Sequence, residues 1–342
     1  MYFFRADANI QIASGHIMRC IAIAQKLIEV GGNVKFLIAD KYPIGMLDEY
    51  GIDYTVLYSQ WDDLMSEVPL MVEILKEEKD ALLIIDTYSV SKEYIESILP
   101  FAKVCYIGSK QEYLGELNAL INYSSDIDFE LYRKNYGRNT TMMLGVSYAP
   151  LRKEFIEISH LEKDKEKFHI LLTTGNSDRE LYIPSILQGL VNSPYFNKVV
   201  VEVIVGNMFN NKKSLNAQYG NLHNIHLYEN VKSISSLMQK CHLAISANGT
   251  TVYELAAAKI PMITFAMVEE QFKSAKKLSE IGAVDYCGEI YKDRIKVIES
   301  IIEKTNSYVC NPTQLHVMAD RANQMIDGHG CDRIVNTLLN LS

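Results

Sequence analysis

Tyr2–Ile28 reads YFFRADANIQIASGHIMRCIAIAQKLI. The apolar run Tyr2–Phe4 gives way near Arg5 to a polar loop, and Gly15-His16 then opens a stretch in which Ile17, Ile21, Ala24 and Ile28 recur at helical spacing. A run that is apolar at successive positions suits a strand buried on both faces, as in a parallel sheet covered by helices. The cycle returns with apolar runs at Val34–Ile38, Leu82–Ile85 and Val104–Ile107, which predicts βαβ units. It restarts in the second half, where Phe168–Thr173, Val199–Val205, Leu243–Ser246 and Met262–Phe265 read as buried strands and Thr250–Ala258 and Gln271–Ile281 as helices. Between the halves lies His160–Lys167 (HLEKDKEK), polar and charge-mixed, which reads as a linker. The pattern predicts an α/β chain of two doubly wound domains with a central cleft for a ligand. Domain bounds are expected at 1–153 and 165–318, with a C-terminal helix over 319–342.

At 342 residues the chain has room for two ordinary domains. A net charge of −8 argues against a nucleic-acid partner, but not against a nucleotide sugar, whose pyrophosphate needs only a few local donors. The six cysteines form no C-x-x-C pair and no zinc-like spacing, which suits reduced thiols in the cytoplasm and predicts no metal. Arg5 and Asp7 interrupt the apolar start that a signal peptide requires, and no run approaches the ~18 apolar residues of a membrane span.

Two stretches carry chemistry on their residues alone. In the first, Ser14 reads as an N-cap, Gly15 lets a ligand approach the backbone, and His16 stands in the first turn of a helix at the carboxyl edge of a sheet. A helix N-terminus disfavours imidazolium, so His16 is a candidate base; the ordinary alternative is a polar helix-start residue bonded to a loop carbonyl. In the second, Ser246-Ala-Asn248-Gly249-Thr250-Thr251-Val-Tyr-Glu254 runs from strand through a small-residue turn into a helix. The amides of Gly249, Thr250 and Thr251 could hold a pyrophosphate and Glu254 a ribose diol; the alternative is a plain threonine-capped turn. Asp86-Thr-Tyr88 follows an apolar strand and suits either a site or a helix cap, and Gly175 lies in a loop, Thr174–Asp178, of phosphate-binding type. His169, His223, His226 and the lysines Lys273, Lys276 and Lys277 read as structural or solvated.

Taken together, Arg5-Ala-Asp7, Gly15-His16-Ile-Met-Arg19-Cys20, Asp86-Thr-Tyr88, Tyr148–Phe155, Ile245–Ala257, Pro261, Gln271 and Ile326–Ile334 resemble the UDP-sugar hydrolases of pseudaminic-acid biosynthesis. Those enzymes act on UDP-2,4-diacetamido-2,4,6-trideoxy-β-L-altropyranose, and the chain also resembles the related spore-coat and flagellin-modification polysaccharide proteins. The resemblance implies a GT-B-like fold of two Rossmann-type domains, a UDP-sugar substrate and no cofactor. It implies that His16 activates water to attack the anomeric carbon, with Tyr88 facing the sugar. It groups Arg5, Asp7, Gly15, Arg19, Asp86, Glu270 and Gln271 at the substrate. It groups Gly175, Ser246, Asn248, Gly249, Thr250, Thr251 and Glu254 at the nucleotide.

Three positions depart from the family pattern. Asn248 replaces the first glycine of the turn, where its tolerance of left-handed backbone would serve; His242 replaces a common aspartate; and Glu270 replaces an asparagine expected beside the sugar. A glycosyltransferase of the same fold, or a non-catalytic nucleotide-sugar binder, would share most of these features.

Overall fold

The computed structural model describes residues 1–137, 139–156, 163–206, 208–229, 231 and 233–341. The chain forms two compact units, one from Met1–Arg152 together with the segment from His329, the other from Lys153 to Gly328. Of the expected linker, 160–162 lie outside the described residues.

In unit 1 the strands are β1 (Tyr2–Ala6), β2 (Val34–Ile38), β3 (Tyr54–Val56), β4 (Leu82–Asp86), β5 (Lys103–Ile107), β6 (Ala119–Asn122) and β7 (Thr141–Leu144). Its first helices are α1 (Gly15–Glu29), α2 (Ile44–Glu49), α3 (Val68–Lys76), α4 (Lys92–Ile98) and α5 (Phe129–Tyr136). Among the described residues the strands make one parallel sheet in the order β3-β2-β1-β4-β5-β6-β7. Connections run outward in both directions from β1 and β4, so the chain reverses its winding between those two strands. In such sheets ligand groups gather at that point, beyond the carboxyl ends of the strands.

The alternation along β1 divides the unit 1 core. Tyr2, Phe4 and Ala6 pack with Ile17, Cys20, Ile21, Ala24 and Leu27 of α1, whereas Phe3 packs on the other face with Leu64, Met71 and Tyr94. The stripe of α1 thus ends on Leu27, and Ile28, expected on the same face, is exposed. From Ala24, a step of three residues keeps to the buried line, while a step of four carries the side chain off its edge. Ser14 occupies the N-cap position, but its side chain makes no capping hydrogen bond.

Unit 2 repeats the plan with β8 (Phe168–Thr173), β9 (Val199–Val205), β10 (Ile225–Glu229), β11 (Leu243–Ala247), β12 (Met262–Ala266) and β13 (Asp285–Glu289). Its helices are α6 (Tyr182–Val191), α7 (Lys212–Tyr219), α8 (Ile234–Lys240), α9 (Thr251–Ala257), α10 (Glu270–Glu280), α11 (Arg294–Cys310) and α12 (Leu315–Met325). The parallel order is β10-β9-β8-β11-β12-β13, with the reversal between β8 and β11. The run VVVEVIV of β9 is buried at every position, although it carries Glu202; that carboxylate accepts from His169 and His226, which lie on the strands at either side.

Where a single helix is expected over 319–342, the chain forms two, α12 and α13 (Gly330–Leu339). The second belongs to unit 1: Cys331, Ile334, Val335 and Leu338 enter the core beside α1, and Lys26 pairs with Asp332 at 2.6 Å. Entry is tight, since a Cβ on Gly330 would stand 2.0 Å from the Ala149 carbonyl oxygen.

Candidate active site

At the reversal point of unit 1, α1 and the end of β4 bring together His16, Arg19, Cys20 and Asp86. His16 Nδ1 lies 2.6 Å from Asp86 Oδ1. Arg19 donates from Nε and Nη2 to the two oxygens of the same carboxylate, and Cys20 Sγ lies 3.5 Å from Oδ2. Arg19 also donates to Tyr123 Oη at 3.0 Å, and its guanidinium lies 5.8 Å from that ring's centroid.

Arg19 Nη2 approaches His16 Nδ1 to 2.8 Å as well. One nitrogen cannot both donate to Asp86 and accept from Arg19, and at 2.6 Å an ionised carboxylate, which can only accept, requires a donor on the ring nitrogen that faces it. The Nδ1 proton therefore goes to Asp86, and Nε2 keeps its lone pair. Burial alone would push the Asp86 carboxyl up, but the charge of Arg19 and the hydrogen bond from His16 outweigh it and hold it below the ordinary range. Burial likewise opposes the Arg19 charge, and Asp86 more than restores it. The Tyr88 ring stands edge-on to His16, centroids 4.4 Å apart, while the residue itself is 66% exposed.

Asp86, expected against the substrate, thus has both oxygens engaged by residues of α1. Arg5 and Asp7 depart further from expectation. β1 extends through Ala6, so Arg5 is a strand residue on the Phe3 face and is fully buried. Its Nε and Nη2 donate to Glu67 at 2.6 and 2.9 Å, and its Nη1 donates to Asp7, whose other oxygen accepts from the Ala39 amide. Glu67 also accepts from Ser59 and Tyr94, both at 2.9 Å. Burial works against the Arg5 charge, and Asp7 and Glu67 outweigh it. These residues form a closed ionic cluster under the sheet. Glu67 had no signal in the sequence, because it stands alone between short elements. Gly15 is exposed, with open space where a Cβ would stand.

Between β1 and α1, Asn9 accepts from the amides of Gln11 and Ile12, while its buried Nδ2 has no partner among the described residues. This donor beside the His16 helix was not singled out from the sequence.

At the reversal point of unit 2 lie the loop after β8 and the turn after β11. Gly175 takes φ +81°, a left-handed value that favours glycine. Asp178 caps α6 through the amides of Tyr182 and Ile183 at 2.9 and 3.0 Å, which makes it a structural residue. In the second turn, neither Asn248 nor Gly249 has positive φ, so the replacement of glycine by asparagine needs no left-handed backbone. Ser246 is a buried strand residue whose hydroxyl donates to the Ala247 carbonyl. The Gly249 amide also donates to that carbonyl, at 2.9 Å. Of the expected amides, those of Thr250 and Thr251 find no backbone acceptor among the described residues. Glu254 lies half-buried in the first turn of α9.

Gln271 ties this turn to α10. Its Oε1 accepts from the Met267 amide at 2.8 Å, and its backbone carbonyl accepts from Asn248 Nδ2 at 3.4 Å. Glu270, one residue earlier, is exposed in the first turn of α10, where a carboxylate suits the helix N-terminus. Three buried polar atoms lack partners on the neighbouring strands: Thr174 Oγ1 after β8, Asn248 Oδ1 after β11 and Thr264 Oγ1 in β12. A native interior leaves few such atoms, and each costs about 1–3 kcal/mol unless something binds it.

Two doubly wound parallel sheets, each with polar groups at its reversal point, define a two-domain α/β protein of the GT-B type. The chain belongs to the family of the glycosyltransferase family 28 C-terminal domain, whose model matches residues 158–332, just over half of the chain. It is 24% identical over 332 residues to an uncharacterised protein of Methanocaldococcus jannaschii, covering 89% of this chain and 66% of that one, so it spans just under two thirds of that relative's length. It is 25% identical over 282 residues to the UDP-2,4-diacetamido-2,4,6-trideoxy-β-L-altropyranose hydrolase of Campylobacter jejuni, covering 82% of this chain and 96% of the relative. Among solved structures it is similar to the UDP-GlcNAc 2-epimerase of Neisseria meningitidis bound to UDP-GlcNAc, with a TM-score of 0.68, 14% identity and coverage of 99% and 100%. At that identity the likeness speaks for the fold.

Proposed function

We propose that the protein hydrolyses a UDP-linked amino-deoxy sugar to UDP and free sugar, the reaction type for which the C. jejuni relative is named. The observation that carries this reading is the His16–Asp86 pair, which leaves Nε2 with a lone pair at the reversal point of its sheet. In the proposed step His16 Nε2 takes a proton from water as the oxygen bonds to the anomeric carbon. The bond from that carbon to the phosphate oxygen breaks, and UDP leaves with the electron pair. Asp86 holds the imidazole in the required tautomer and stabilises the imidazolium that forms. Tyr88 serves as a wall for the sugar, with Gly15 as a further substrate contact of unit 1.

For the nucleotide we propose the amides of Thr250 and Thr251, the unpartnered oxygens of Thr174 and Asn248, and Glu254 at the ribose. Gly175 and Gly249 complete this surface. Six unpaired cysteines and the net charge of −8 fit a cytoplasmic enzyme without a nucleic-acid partner. Among the described residues no helix is long and apolar enough to cross a membrane.

The family 28 match favours a second reading, a glycosyltransferase in which His16 activates a sugar hydroxyl in place of water. Incubation with UDP-sugars and no acceptor separates the two. Release of UDP with free sugar, reduced by His16→Asn about 10²- to 10⁴-fold, is the expected result. UDP release only on addition of an acceptor sugar would establish the transferase, and tight binding without turnover a binder.

A further inference from the structure

Unit 2 holds a cavity of about 300 Å³ at the amino ends of its strands. His242 directly precedes β11, Lys259 and Pro261 precede β12, Lys163 lies ahead of β8, and α12 closes one side with Leu315, His316 and Asp320. The turn proposed for the nucleotide follows the opposite end of β11. Five strand residues at about 3.3 Å each put roughly 17 Å between the two places.

The cavity's charge is unbalanced. Lys163 and Lys259 contribute two ammonium groups, and Asp320 is the one carboxylate in the lining. Among the described residues neither lysine is in an ion pair, and Asp320 is in none either. Lys163 is half-buried, and that burial pulls its ammonium below the ordinary range. His242 cannot relieve it: its Nδ1 accepts from the His169 amide at 3.0 Å, and burial followed by Lys163 pushes its pKa down, away from the charged form. Lys259 is exposed at the rim, but a half-buried ammonium such as that of Lys163 without an anion is uncommon, because the charge loses hydration and gains nothing in return. Pro261 and Leu315 supply an apolar wall beside this charge. A pocket of this volume with convergent charge on an apolar wall has the make-up of a small-molecule site.

We propose that this cavity is a second small-molecule site, separate from the nucleotide turn, that takes an organic oxyanion with its charged head at Lys163 and Lys259 and its carbon body against Pro261 and Leu315. Phosphate and carboxylate share the required chemistry.

The test uses the full chain with saturating UDP present, so that the nucleotide turn is occupied, and titrates inorganic phosphate, glucose 6-phosphate and gluconate by calorimetry. At least one of the three is expected to bind. Lys163→Met, which keeps the apolar stem, should weaken that binding by about tenfold, and Asp320→Asn should strengthen it by a few-fold. The gain in Asp320→Asn cannot arise from misfolding. Glucose 6-phosphate and gluconate share a polyol body, so either order of affinity supports the site and tells which oxyanion it favours. Absence of binding by all three, or equal affinity in wild type and Lys163→Met, would overturn the proposal. So would binding that UDP abolishes.

Discussion

His16 can act as a base only while its proton stays on Nδ1, and Asp86 is the group that keeps it there. Replacing Asp86 with Asn removes that constraint, so UDP release should fall by about 10²- to 10⁴-fold while UDP affinity stays within a few-fold. Thermal melts measured beside the assay separate this effect from the loss of Arg19's partner. Because the Asp86 pKa is depressed, its contribution to stability is complete above the unfolded-chain value and disappears as pH falls through the folded value. Acid unfolding through this group should therefore begin only below about pH 4, as a pH series of melts would record. Arg5 belongs to the fold and not to the chemistry. Arg5→Met would leave Asp7 and Glu67 buried without a countercharge, at a cost of about 3–5 kcal/mol. Urea unfolding should show the loss while UDP affinity is kept. Arg5→Met combined with Glu67→Leu should recover part of the stability, since an apolar replacement for the whole pair leaves less charge stranded.

The turn between β11 and α9 shows how far an element can be read from its residues. Strand, small-residue turn and helix are legible in LAISANGTTVYELAA, because apolar run, turn and helical period follow one another without a gap. The direction of each group is not. Ser246 is the expected last strand residue, but β11 continues to Ala247, and the Ser246 hydroxyl donates to the Ala247 carbonyl as an interior group. Arg5, grouped with the substrate by the family resemblance, likewise lies within a strand, since β1 runs on to Ala6. The short strands β3, β6 and β7 carry too few residues to show a period, and β13 (DYCGE) is only half-buried and has no apolar run, so none of the four is legible. Pairs that meet across the fold, such as His16 with Asp86 and Gln271 with Asn248, have no signature in linear spacing. At this scale Glu254→Ala should raise the Kd for UDP by about tenfold to a hundredfold, the equivalent of 1.5–3 kcal/mol for a charge-assisted hydrogen bond. Asn248→Gly should lower the melting temperature slightly, because a backbone without positive φ gains nothing from glycine, whose freedom in the unfolded chain costs about 0.4–1 kcal/mol, and the hydrogen bond to the Gln271 carbonyl is lost. Calorimetry and melts on the two variants read both outcomes.

At the scale of the whole molecule, unit 1 is discontinuous in sequence and unit 2 is continuous. The apolar core around α1 is finished by Cys331, Ile334, Val335 and Leu338, residues that follow all of unit 2 in the chain. Leu338 is fully buried there, and Leu338→Ala should cost about 2–5 kcal/mol. Hydrogen exchange should localise that loss to unit 1 and leave the protection of β8, β9 and β11 unchanged. The same return of α13 has a consequence in time. A ribosome adding about 5–20 residues per second needs roughly 9 to 35 s to travel from Lys153 to His329. Throughout that interval the first-made half of the protein waits with one side of its helix layer open, while the later-made half already has its whole sequence available as it emerges. The usual order of assembly is thereby inverted: what is synthesised first is completed last, and a nascent chain stalled before His329 would present the uncovered side of α1 to whatever chaperone or neighbour it meets.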